Sequence, residues 1–187
     1  YEMLRMFRSH GLVREVTNSQ VQEEYSKDNN SLNSEFIFAF PAYNVRNTEL
    51  GAIIGMNQLK RLDIDNEKRI QNNLVFLKYL DGERFRKEYE LEGSCNYAFN
   101  IVLRKPDLKL RDRLEDAMDK SNVEYRRGSA GGGNQMRQPF LQGIVEGKGW
   151  EKFPEVEHIH FYGWYIGNYP DLEEGKILRL CELLNNA

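Results

Sequence analysis

The chain has 187 residues, 40% of them hydrophobic and 29% charged, with a formal net charge of −3 and an isoelectric point near 5.8. That is enough for one globular domain or one and a half smaller units, and it lacks the basic surplus of a nucleic-acid binder. The longest apolar runs, such as Phe36 to Phe40, are too short to span a bilayer, and no apolar stretch of signal-peptide type follows Tyr1-Glu2-Met3-Leu4-Arg5.

The first element expected is the end of a helix, Tyr1 to Ser9, with Met3, Leu4 and Phe7 on one side and His10-Gly11 closing it. A pattern already helical at its first residue suggests the C-terminal piece of a longer protein. Residues Thr17 to Ser34 are polar and without apolar period, so a long surface loop is expected there. Phe36-Ile37-Phe38-Ala39-Phe40 reads as a short buried strand. Asn47 or Thr48 caps the next helix, Glu49 sits in its first turn, and Leu50, Ile53 and Ile54 begin its buried stripe. A longer helix opens at Asp63 or Asp65, carries Ile70, Leu74 and Leu77, and ends at Asp81-Gly82.

Tyr97 to Leu103 alternates as a strand does. Pro106-Asp107 starts a helix with Leu110, Leu114 and Met118, and Val123-Glu124-Tyr125-Arg126 is a further short strand. That order of strand, helix and strand points to a small α/β sandwich. A glycine run, Gly128-Ser129-Ala130-Gly131-Gly132-Gly133, precedes Asn134, Arg137, Gln138 and Pro139. Glu155 to Phe161 reads as a short helix and Trp164 to Gly167 as a last strand. Asp171 and Glu174 form a D-x-x-E capping box. The final helix presents Ile177, Leu180, Cys181 and Leu184 on one face.

Little of this carries chemistry by spacing alone. The glycine run is followed by no Gly-Lys-Ser/Thr and contains no G-x-G-x-x-G, so it reads as a mobile loop, though Arg137 beyond it can clamp a phosphate bidentately. His158 and His160 stand two apart on a helix and do not share a face, so no metal site is expected. Cys95 and Cys181 are far apart and read as small apolar packing groups of a reducing compartment, which makes a cytoplasmic location the expectation. The most suggestive point is the strand-to-helix junction at Tyr43 to Arg46. Polar groups beside a helix start are well placed to hold an anion.

The order of motifs adds more. Arg8-Ser9-His10-Gly11 is followed by Ala42-Tyr43-Asn44-Val45-Arg46-Asn47-Thr48-Glu49-Leu50 and then Ala52-Ile53-Ile54-Gly55-Met56-Asn57-Gln58-Leu59. This resembles the second half of the DegT/DnrJ/StrS family of sugar aminotransferases, with its R-x-H-G, G-Y-N-x-R and E-L-x-A-A-x-G-x-x-Q-L segments. Gly133 to Pro139 and Gly163 to Pro170 resemble a subgroup tied to lipopolysaccharide sugars that includes the sugar 3-dehydratases. Ala42 and Gly51 depart from the family pattern.

The resemblance implies an α/β fold, the C-terminal part of an aspartate-aminotransferase-like (fold type I) enzyme. Residues 1–62 would be the tail of the large cofactor-binding domain and 63–187 the small C-terminal domain. It implies pyridoxal 5′-phosphate (PLP) as cofactor, a nucleotide-linked 4-keto sugar as substrate, glutamate as amino donor, and a homodimer that shares its active sites. The family's Schiff-base lysine precedes the R-x-H-G segment, so the catalytic residue is unassigned and this piece alone is expected to be inactive. Asn44 matches the residue that reaches the neighbouring subunit's cofactor phosphate, flanked by Tyr43 and Arg46. His10, Asn134, Arg137 and His160 are the candidates for substrate contact. The absence of cysteine from Leu12 to Phe40 speaks against the iron–sulfur variant. A cluster-free 3-dehydratase is the alternative reading, and a non-catalytic binding module of the same fold is the second.

Overall fold

The computed structural model describes residues 1–45, 49–128, 133–142, 144 and 147–187. The chain packs as two units, one of residues 1–48 with 127–161 and the other of 49–126 with 162–187. This grouping is by packing within the chain, and it does not bear on the expected division at 62/63.

In the first unit, helix α1 (Glu2–Phe7) ends at Arg8. His10 and Gly11 then take positive φ values of 60° and 78°, and the Gly11 N–H returns to the Met6 carbonyl at 2.9 Å. Only glycine fits at position 11. A Cβ there would stand 2.1 Å from the Phe40 carbonyl oxygen, in a backbone conformation that side chains disfavour. Helix α2 (Ser19–Asp28) occupies the stretch expected to be a loop. Asn18 caps it by accepting from the Gln20 N–H at 3.0 Å, and none of its residues is buried. A helix that is polar nearly all round lacks the apolar period by which helices are recognised, and that is why it was missed.

The apolar run at 36–40 is only partly strand-like. Ser34–Phe36 is a turn of 3-10 helix, and Leu12 forms an isolated antiparallel bridge with Phe38. Ile37 is nonetheless fully buried, packed with Val13 and Leu32.

In the second unit, helix α3 (Glu49–Leu59) starts at Glu49, while its expected caps Asn47 and Thr48 lie outside the described residues. Its expected buried stripe is not buried: Leu50, Ile53 and Ile54 are 73%, 65% and 62% exposed. The helix is apolar on all sides, and no described part of the chain covers it. Helix α4 (Leu62–Tyr79) buries Asn73, Phe76 and Leu77, whereas Leu74, expected inside, is 43% exposed.

Strands β1 (Ala98–Val102) and β2 (Gly163–Gly167) pair antiparallel, with Phe99 opposite Ile166 and Ile101 opposite Trp164. Those four side chains share one face and are buried, as a period of two requires. The expected strand at 123–126 is reduced to one bridge between Arg126 and Tyr165. Helix α5 (Leu108–Lys120) is capped by Asp107, which accepts from the Leu110 N–H at 2.9 Å. Helix α6 (Pro154–Tyr162), whose residues to 161 belong to the first unit, precedes β2 in the chain, and helix α7 (Glu174–Asn186) is the last element of the second unit.

The expected capping box at the start of α7 does not form. Glu173 is the cap residue, without a side-chain cap bond, and Asp171 instead pairs with Lys68 at 3.0 Å. The core joins Phe76, Phe85, Phe99, Ile101, Leu114 and Met118 to the α7 face of Ile177, Leu180, Cys181 and Leu184. Both cysteines are free thiols, and burial pushes the Cys181 thiol up to about 11.

Asn168 ties this unit together after β2. It is buried, and its amide donates to the Arg69 and Asn96 carbonyls at 2.9 Å each. Its side-chain oxygen accepts from Asn72 at 3.1 Å. Its own N–H donates to the Tyr97 carbonyl at 2.7 Å. An Asn168→Ala protein would lose the donor to the Arg69 and Asn96 carbonyls and one of the two acceptors of the Asn72 amide, which keeps its bond to the Tyr169 carbonyl. Urea denaturation is expected to show a loss of about 1–3 kcal/mol, with an unchanged dependence on denaturant.

Candidate functional site

The two motifs singled out in the sequence meet in the first unit. Residues 7–10 and 43–45 lie side by side and exchange backbone hydrogen bonds. Tyr43 N–H donates to Phe7 O (3.1 Å), His10 N–H to Tyr43 O (2.8 Å) and Val45 N–H to Arg8 O (3.3 Å). Ser9 and Asn44 form an antiparallel bridge. Ser9 is buried, while His10, Tyr43 and Asn44 are exposed, Tyr43 by 76%. The His10 ring sits edge-on to Phe38, with centroids 6.5 Å apart. Backbone pairing thus holds the segment while the Tyr43 and Asn44 side chains stay on the surface. Arg46 lies outside the described residues, as do Ser129 to Gly132 of the glycine run.

Asn134, Arg137 and His160 form a second, buried cluster in the same unit. His160 accepts the Asn134 backbone N–H at Nδ1 (3.1 Å), and its Nε2 lies 2.8 Å from the Ser31 carbonyl oxygen. A ring that accepts at one nitrogen and faces a carbonyl with the other must be neutral, with its proton on Nε2. Burial lowers the His160 pKa below its ordinary 6.5, and it outweighs the opposing pull of the Ser31 carbonyl and Glu157. Arg137 and Arg127 act in the same direction as burial.

Gly133 is shaped to this ring. Its φ is +72°, and a Cβ there would stand 2.3 Å from Nδ1. The Asn134 amide donates to Glu157 Oε2 at 2.8 Å, and its carbonyl oxygen accepts from the Met136 N–H at 3.1 Å, starting a turn of 3-10 helix. Arg137 Nε lies 3.0 Å from both Glu157 oxygens, its second terminal nitrogen bonds Glu157 as well, and Nη1 donates to Ser31 Oγ at 3.2 Å. Its guanidinium stacks on Trp150 at 4.7 Å and Phe161 at 5.2 Å. Burial raises the Glu157 pKa, but the bonds from Arg137 and Asn134 prevail and leave the carboxyl below its ordinary 4.5.

Gln138 completes the cluster. It is fully buried, and its amide group pairs with the chain as a neighbouring strand would. Its oxygen accepts from the Phe38 N–H at 2.9 Å, and its nitrogen donates to the Phe36 carbonyl at 2.9 Å. Sequence reasoning named Asn134, Arg137 and His160 but missed Glu157, Ser31 and Trp150, and gave Gln138 no role. These partners stand up to 129 residues apart, and no spacing signals them. Among the described residues, no group of three or more His, Cys, Asp or Glu is placed to hold a metal ion, and no helix is long and apolar enough to cross a membrane.

Comparison with known proteins gives this arrangement a family. Residues 1–184 match the DegT/DnrJ/EryC1/StrS aminotransferase family, and the chain belongs to it. It is 25% identical over 189 residues to the GDP-4-keto-6-deoxy-D-mannose 3-dehydratase of Yersinia pseudotuberculosis, covering 98% of this chain and 46% of that protein. It is 24% identical over 170 residues to the protein of the same name from Escherichia coli O55:H7, covering 90% and 43%. It therefore spans less than half the length of the curated relatives it matches.

Among solved structures, the E. coli 3-dehydratase with bound hydrated PLP matches with a TM-score of 0.56 at 24% identity, covering 98% of this chain and 47% of that one. An aminotransferase from Psychrobacter cryohalolentis matches with a TM-score of 0.56 at 17% identity, covering 96% and 46%. The fold is thus the α/β fold of the sugar aminotransferases and dehydratases, as the motif order implied.

The buried cluster predicts an acid-labile first unit. His160 and Glu157 both have lowered pKa values in the folded chain. Each therefore adds stability above its unfolded pKa and loses it as pH falls through the folded one. Stability is expected to fall below pH 6.5 through His160 and to fall again below 4.5 through Glu157. Urea titrations at stepped pH check this, and His160→Gln is expected to flatten the first decline while leaving the second.

Proposed function

We propose that this chain is the C-terminal half of a PLP-dependent enzyme that acts on a nucleotide-linked 4-keto sugar. The observation that carries the reading is the backbone ladder between residues 7–10 and 43–45. It joins the family's two motifs and leaves Asn44 and Tyr43 facing outward.

The residues present suit a phosphate acceptor. Asn44 offers a neutral amide donor on a segment held by its neighbours' hydrogen bonds, and Tyr43 offers an exposed hydroxyl. Outward-facing donors serve a group held by another chain, which accords with a homodimer whose subunits complete each other's sites. The uncovered apolar helix α3 accords with a longer protein that packs against it. When bound, the cofactor supplies an electron sink for reactions next to an amino group, and the protein supplies its orientation.

We assign Asn44, Tyr43 and Arg46 to the cofactor's phosphate and His10 to the substrate side. Asn134, Arg137 and His160 serve the substrate by fixing the segment that follows the glycine run. Their polar groups bond within the chain, and this supports positioning over direct contact. Glutamate as amino donor, a role in surface-polysaccharide biosynthesis and a cytoplasmic location belong to the same proposal.

Two reactions fit this frame. The family supports an aminotransferase, and the two curated relatives, both named as 3-dehydratases, favour loss of the C3 hydroxyl. Mass spectrometry of the product separates them, with the full-length protein, PLP, glutamate and a GDP-linked 4-keto-6-deoxy sugar. An amino sugar marks the aminotransferase, and a 3-deoxy sugar marks the dehydratase.

A separate measurement tests the site itself. Asn44→Ala in the full-length protein is expected to weaken PLP binding by about 1–3 kcal/mol, the cost of one buried polar contact, read by titration of the cofactor's absorbance. Unchanged affinity would instead support a non-catalytic module of the same fold.

A further inference from the structure

The second unit contains a cleft of about 580 Å³ at the edge of β2, which neither the motifs nor the reading above uses. Its volume lies in the range of small-molecule sites. Its floor is made by Phe99, Ile166, Ile177 and Leu180, all buried members of the core. Its rim is aromatic. Tyr97 is 66% and Tyr169 49% exposed, and Tyr97 meets the Tyr165 ring edge-on at 6.1 Å.

Two cations stand on the same rim. Arg126 lies over the Tyr165 ring, 6.0 Å from its centroid, and Lys176 projects from the first turns of α7. The rim carries one carboxylate, Glu124. It pairs with Arg126 at 3.8 Å, and since it is largely in solvent the pair is screened and weak. A peptide strand cannot add to the sheet at Tyr165, because its N–H and carbonyl already bond Arg126, each at 3.0 Å.

We propose that this cleft binds a small ligand consisting of a flat aromatic ring that carries a carboxylate or a phosphate. The apolar floor and the tyrosine edges accept the ring. Arg126, whose side chain also hydrogen-bonds Tyr165, and Lys176 hold the anion. This inference does not depend on the cofactor or the sugar, since no residue assigned to either lines the cleft.

Isothermal titration of the full-length protein tests it, using indole-3-acetate, phenyl phosphate, neutral indole-3-acetamide and aliphatic hexanoate. At least one of the two aromatic anions is expected to bind at one per chain. Indole-3-acetate binding marks a carboxylate ligand, and phenyl phosphate binding marks a phosphate ligand. The amide and hexanoate are each expected to bind about tenfold more weakly than the better anion, for loss of charge and of the ring respectively. The double substitution Arg126→Gln with Lys176→Gln is expected to weaken that anion by about tenfold or more, and Tyr97→Ala by about fivefold. Both charged side chains are exposed, and the Arg126 backbone bonds do not need its side chain. No binding by either anion overturns the proposal. So does equal binding by the neutral or the aliphatic probe, or an affinity unchanged by the charge substitutions.

Discussion

The first unit depends on a neutral, buried imidazole. His160 faces the Ser31 carbonyl with one nitrogen and accepts the Asn134 N–H with the other. It thereby joins α6, the segment after the glycine run and the loop after α2, three stretches distant in sequence. The ring has room only because position 133 is glycine. Once it is placed, Asn134 and Glu157 are aligned, and Glu157 in turn holds Arg137. Buried polar groups are costly unless satisfied, so such a cluster specifies one arrangement more sharply than apolar packing would. Gln138 extends it to the backbone at Phe36 and Phe38, beside the bridge from Leu12.

The same economy governs the motif pair. Gly11 turns the chain after α1 so closely past Phe40 that no side chain fits. That turn lets residues 7–10 run beside 43–45, and the ladder between them uses main-chain atoms. The side chains of His10, Tyr43 and Asn44 are therefore spared for other work. The motif here has two layers: glycine and backbone set the geometry, and polar side chains are left facing outward. The second unit solves its own problem differently, with one asparagine, Asn168, gathering carbonyls from Arg69, Asn96 and Tyr97.

Legibility in the sequence followed periodicity. Helix α7 was readable because Ile177, Leu180, Cys181 and Leu184 recur on one face and bury it. Helix α5 was readable from Asp107 and its Leu114 and Met118 stripe, and β1 from its alternation. Helix α2 was not readable, because a short polar helix held by an Asn cap has no apolar stripe. The D-x-x-E pattern at Asp171 misled because a carboxylate near a helix start can equally pair with a lysine from another helix, here Lys68. Leu50, Ile53 and Ile54 misled in another way. Their apolar character was read correctly, but among the described residues nothing covers them.

The sequence by itself determined the family, the α/β class, most helices and the pairing of an R-x-H-G motif with an N-x-R junction. These are local or ordered signals, written in the periods and intervals of one chain. Only the tertiary structure decided what Asn134, Arg137 and His160 bond to. Their partners are Glu157, Ser31 and each other, up to 129 residues away. A hydrogen bond depends on distance and angle in space, and separation along the chain encodes neither.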